Sequence, residues 1–181
     1  GIFYGILLIM FCYNMMIYIS TFDKSYLLFI FFLSSYTLMS LSLNGHGFQF
    51  LWPDYPEICK SSAFLITLTA AAGIAFSRVF FRIYKTIPLI NRLLNIALFI
   101  LIAIMALTIF IPYNRSVVIS AAAMFIAALF CVAMGLYAVS KNVESSVAYT
   151  SALVVLSIGQ AVTILKNFSL LPTNFFTTWG F

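Results

Sequence analysis

Six stretches of about twenty mostly apolar residues leave this chain few ways to fold. They lie at 2–20, 26–43, 62–83, 93–112, 117–139 and 147–170. A run of that length matches the hydrocarbon thickness of a bilayer, and none alternates apolar with polar residues as a barrel strand would. A helix satisfies each backbone amide within its own segment, which lipid cannot do for it. The expected fold class is therefore all-α, a polytopic transmembrane bundle with six spans. Composition closes the alternative: 64% of residues are hydrophobic and only 7% charged, too few charges to coat a water-soluble globule. A soluble enzyme is excluded, and the net charge of +5 does not point to nucleic acid, because the basic residues sit at the ends of apolar runs.

Those basic residues set an expected orientation. The 1–2, 3–4 and 5–6 connections carry six of them, Lys24, Arg78, Arg82, Lys85, Arg92 and Lys141, against three, Lys60, Arg115 and Lys166, on the other side. The richer side is expected in the cytoplasm, which places the start of helix 1 outside. A basic n-region of the kind that opens a signal peptide does not precede helix 1. The opening at Gly1 suggests a piece of a longer protein.

The chemical inventory is sparse. A single histidine, His46, rules out a His-Glu-x-x-His zinc site, and the three cysteines, Cys12, Cys59 and Cys131, make no disulfide framework. All four carboxylates, Asp23, Asp54, Glu57 and Glu144, fall between the apolar runs, whereas proton- and sodium-coupled carriers usually hold one at mid-membrane depth. Catalysis within this chain, a cofactor and a metal centre are all unexpected. The intramembrane polar residues Asn14, Asn95 and Gln160 read first as hydrogen-bonding glue between helices. If all three faced one water-filled cavity, a small-solute transporter or channel would be the alternative. Ala70-Ala71-Ala72-Gly73, Ser120-Ala121-Ala122-Ala123 and Gly1-x-x-x-Gly5 offer small surfaces for close helix approach.

One connection has an order of residues that composition does not explain. In the outer 2–3 loop, 44–61, the run Asn44-Gly45-His46-Gly47-Phe48-Gln49-Phe50-Leu51-Trp52-Pro53 pairs two glycines with alternating large rings. It resembles the Asn-Gly-x-Gly-Phe-Gln-Tyr-Leu-Trp-Pro signature of bacterial seven-transmembrane receptors with diverse intracellular signalling modules, with Phe50 at the usual Tyr. Tyr13-Asn14, Ser25-Tyr26-Leu27, Pro112-Tyr113, Gly135-Leu136-Tyr137 and Leu170-Leu171-Pro172-Thr173-Asn174-Phe175 are similar to other parts of the same family, so the likeness runs along the chain. The 5–6 connection at 142–147 lacks the Ala-Arg-aromatic step often found there.

The resemblance implies a receptor domain, 1–181, that ends before a seventh helix, so about 20 further apolar residues are expected after Phe181. It implies a bacterial cytoplasmic (inner) membrane location, an extracytoplasmic sensor domain upstream of helix 1 and a cytoplasmic output module downstream. That module would be a histidine kinase, diguanylate cyclase or phosphatase, and a homodimer is expected if it is a kinase or cyclase. On this reading the partners are the lipid bilayer and those two domains, with no nucleic acid. The 44–53 segment is expected to be a structural and signalling lid, with His46 an ordinary loop histidine.

Overall fold

In a computed structural model, residues 2–45, 61–81, 88–140 and 146–167 are described, with side chains between 90 and 159 in the later helices. They form six helices: α1 (Ile2–Thr21), α2 (Lys24–Leu43), α3 (Ser62–Phe80), α4 (Pro88–Leu107), α5 (Tyr113–Ser140) and α6 (Ser146–Asn167). The first five are each long and apolar enough to cross a membrane. Among the described residues there is no strand, and the protein is an all-α membrane bundle.

The helix ends follow from local chemistry. Phe22, at φ 52°, takes the left-handed conformation and closes α1 by donating its N–H to the Tyr18 carbonyl at 2.7 Å. Asp23 then caps α2, its Oδ1 accepting from the Ser25 N–H at 2.8 Å. α4 starts at Pro88, five residues ahead of the expected 93, because proline suits the first helical position. It also ends earlier, at Leu107. Turns follow through Thr108, Ile109 and Phe110, since Pro112 disfavours helical geometry at the residue before it. The Pro112 carbonyl accepts from the Arg115 and Ser116 N–H groups, both at 3.1 Å, which starts α5.

The chain divides into two compact units, residues 1–124 and 125–181. In the first, α1 packs on α2, α2 on α3, and α3 on α4. α3 is the central element: 44% of its membrane window is buried, against 6% for α1. Apart from Ile66 and Ile74, its shielded side chains are small or hydroxylated, among them Ala63, Thr67, Thr69, Ala70, Ala72 and Ser77. Lipid is as apolar as a protein core, so close backbone approach and internal hydrogen bonds, rather than apolar burial, hold such helices together. Gly73 shows the approach, since a Cβ there would lie 3.4 Å from the Phe32 ring of α2. Alongside it, Phe29 of α2 and Phe76 of α3 pack with ring centroids 5.2 Å apart.

Many of the buried and half-buried hydroxyls bond within their own helix, to the carbonyl four residues back. Ser34, Ser35 and Thr37 do so on α2, and Thr67, Thr69 and Ser77 on α3, all between 2.7 and 2.9 Å. Thr67 also reaches a neighbour, Ser120 Oγ of α5, at 3.0 Å. In the second unit, Cys131, Met134, Gly135 and Ala138 of α5 are buried, as are Ser146, Thr150 and Ser157 of α6. Gly135 lies so close to Thr150 that a Cβ on it would stand 3.2 Å from both Cβ and Cγ2 of Thr150.

Candidate functional site where the 44–53 segment leaves helix two

The last two turns of α2 carry Ser40, Ser42 and Asn44. Ser40 and Asn44 are four residues apart and share a helix face. The Asn44 backbone N–H caps α2 by donating to the Ser40 carbonyl at 3.0 Å. Its side-chain amide has two protons and uses both between helices and turns. Nδ2 donates to Tyr4 Oη of α1 at 3.2 Å and to Ser40 Oγ at 3.3 Å. The Tyr4 and Ser40 oxygens are themselves 3.5 Å apart. On the opposite side of α2, Ser42 Oγ and Ser62 Oγ of α3 are 2.8 Å apart in a buried hydrogen bond. The end of α2 is thus tied to α1 through Asn44 and to α3 through Ser42.

Gly45 follows at φ +73°, a conformation that side chains oppose, with open space around the position a Cβ would take. The chain therefore leaves α2 through a turn set by backbone geometry, not by crowding. The groups gathered here are an amide, a phenol and three hydroxyls, all uncharged.

Of the ten residues singled out in the loop motif, Asn44 and Gly45 are the two within the described residues; His46 to Pro53 lie outside them. The three intramembrane amides have separate fates. Asn14 donates to the Met10 carbonyl of its own helix at 2.7 Å. Asn95 of α4 accepts from Arg78 Nη1 of α3 at 2.8 Å. The Gln160 side chain lies outside the described residues. Asn14 and Asn95 share no hydrogen-bond partner. Among the described residues, no three His, Cys, Asp or Glu side chains come together.

Tyr4, Ser40, Ser42 and Ser62 were not legible as site residues. The Ser40-x-Ser42-x-Asn44 spacing was the available signal, since it sets two polar groups on one helix face directly before the motif.

No curated protein matches the chain. No solved structure matches it either. The sequence model of the family described as 7TM diverse intracellular signalling matches residues 1–181, the whole length that carries these helices and the anchored motif. The chain belongs to the 7TM diverse intracellular signalling family, as a multi-pass membrane domain of a signalling receptor.

Proposed function

We propose that residues 1–181 act as one transmembrane relay domain, which carries an extracytoplasmic ligand signal to a cytoplasmic output module of histidine kinase, diguanylate cyclase or phosphatase type. On this reading α1 starts outside, the protein resides in a bacterial cytoplasmic membrane, and a sensor domain precedes α1. The Asn44 side chain carries the proposal. It joins Tyr4 of α1 to Ser40 of α2 at the residue where the motif segment begins. A sensor pressing on that segment would load α1 and α2 directly, and α3 through Ser42 and Ser62. A small shift at such a junction becomes a helix displacement because packed helices move between discrete arrangements. The uncharged character of the junction suits a mechanical role better than solute binding.

The test is output activity of the complete receptor at matched membrane abundance. Asn44→Ala and Trp52→Ala should each reduce the ligand-dependent change in output while leaving basal output measurable. Full ligand response in both variants would contradict the relay role of this segment.

A further inference from the structure

Where α3 ends and α4 begins, each of the two packed helices carries an arginine, Arg78 in the last turn of α3 and Arg92 near the start of α4. Arg78 is half-buried. Its Nη1 donates to Asn95 Oδ1 of α4 at 2.8 Å, so the side chain is aimed across the helix pair. Arg92 precedes Asn95 by three residues and Asn91 precedes it by four, which sets all three along one side of α4. The partner of Arg78 is a neutral amide, so its charge is not compensated. Arg92 is exposed. Among the described residues the one carboxylate is Asp23, whose Oδ1 caps α2. Among the described residues, no ion pair is formed by either arginine, and both can take an anion.

The same face of α4 continues as an apolar stripe. Ile96 and Phe99, four and seven residues beyond Arg92, are 51% and 74% exposed, and Ile100 beside them is also exposed. A charged head above an open apolar stripe has the shape of a phospholipid. The corner also holds an acceptor, because Asn91 Oδ1 is shielded and has no hydrogen-bond partner. Buried polar atoms usually find one. Rotation of that amide about χ2 would present the oxygen to a hydroxyl donor beside a phosphate.

We infer that the α3–α4 corner built by Arg78, Arg92, Asn91 and Asn95 binds the headgroup of an anionic phospholipid, phosphatidylglycerol in chemistry, with an acyl chain along Ile96 and Phe99. The phosphodiester takes the two guanidinium groups, which suit planar two-point recognition of phosphate oxygens. The glycerol hydroxyl supplies the donor that Asn91 lacks.

Native mass spectrometry of the purified protein in a zwitterionic detergent, titrated with dioleoylphosphatidylglycerol, tests the inference. Arg92→Gln changes an exposed residue and should weaken the first lipid bound about fivefold; Arg78→Gln combined with it should approach about twenty-five-fold. Circular dichroism of each variant establishes that the helices remain. Dioleoylphosphatidylcholine should bind more weakly to the wild type and be indifferent to both substitutions. Equal binding of the two lipids to the wild type would overturn the inference, as would phosphatidylglycerol binding unchanged in a folded double variant. Displacement of the lipid by inorganic phosphate would reassign the corner to a free anion and equally overturn it.

Discussion

Thr150 of α6 occupies the space into which a side chain on Gly135 of α5 would project. A Cβ on Gly135 would meet all three outer atoms of Thr150, two of them at 3.2 Å and Oγ1 closer still. Both residues are buried, and Thr150 Oγ1 is fixed by donating to the Ser146 carbonyl at 2.7 Å. The glycine is therefore required by contact, since its helical backbone would accept any residue.

Gly135→Ala should destabilise the protein by about 1–3 kcal/mol, the usual cost of overpacking. Thr150→Ala removes Oγ1 and Cγ2 and should recover much of that loss when combined with it. Unfolding in mixed micelles, followed by circular dichroism, gives the two values. Purely additive effects of the two substitutions would show that the contact does not limit packing here.

The Thr67–Ser120 pair invites a second measurement. Thr67 Oγ1 donates to the Ala63 carbonyl at 2.9 Å and to Ser120 Oγ at 3.0 Å, one proton shared between two acceptors. Interhelical hydrogen bonds in membranes average about 0.6 kcal/mol, so Thr67→Val should cost less than about 1.5 kcal/mol. Thr67→Ser should be close to neutral. A loss of several kcal/mol in Thr67→Val, measured by the same unfolding assay, would mean that the hydroxyl does more than join two helices.

Gly45 differs from Gly135 in its reason for being glycine. Space is open around it, and the constraint is its φ of +73°. Asparagine tolerates that region, whereas a β-branched residue does not. Gly45→Asn should therefore retain ligand response, Gly45→Ala should lose about 1 kcal/mol of local stability, and Gly45→Val should lose most of the response. A receptor assay with surface-expression control would refute this ranking if Gly45→Asn and Gly45→Val behaved alike.

Within the same motif, the reading of 44–53 as a lid ranks two more variants. Trp52→Ala should uncouple ligand from output, and His46→Ala should be mild. The outcome that reverses the assignment is a pH- or metal-dependent response abolished by His46→Ala while Trp52→Ala signals normally.

Much of the fold could be read from run length alone, because in lipid the length of an apolar segment is a stronger constraint than its periodicity. The ends were read less well. The cap by Asp23 moves the start of α2 from the expected 26 to Lys24, and Pro88 draws α4 forward by five residues. What run length could not supply is which face of each helix is inside. In water an apolar stripe marks the buried face; here lipid-facing and protein-facing sides are both apolar. Thus Thr67, Thr69 and Ser77 read as scattered hydroxyls, although all three are fully shielded between helices. Asn44 was legible because it opens a motif, but its link to Tyr4, forty residues earlier, depends on how α1 meets α2.

The orientation inferred from basic residues has its own check. In a background without Cys12, Cys59 and Cys131, single cysteines at positions 54 and 173 should react with a membrane-impermeant reagent applied outside. Those at 85 and 141 should react only after the membrane is opened. Labelling of 85 but not 54 in sealed cells would invert the topology and remove the proposed direction of signalling.

The hydroxyls that bond back into their own helices give this bundle an unusual mechanical property. When α3 turns or slides against a neighbour, Thr69 and Ser77 keep their hydrogen bonds, because donor and acceptor travel together. Thr67 surrenders its share in Ser120 but retains the Ala63 carbonyl. For these three residues no proton is stranded in hydrocarbon during the movement, whereas the Ser42–Ser62 bond to α2 and the Arg78–Asn95 bond to α4 would have to break. On the proposed relay reading, the ties to Ser42 and Asn95 would hold α3 at rest, while the hydroxyls of Thr67 and Thr69 would stay satisfied as it shifts.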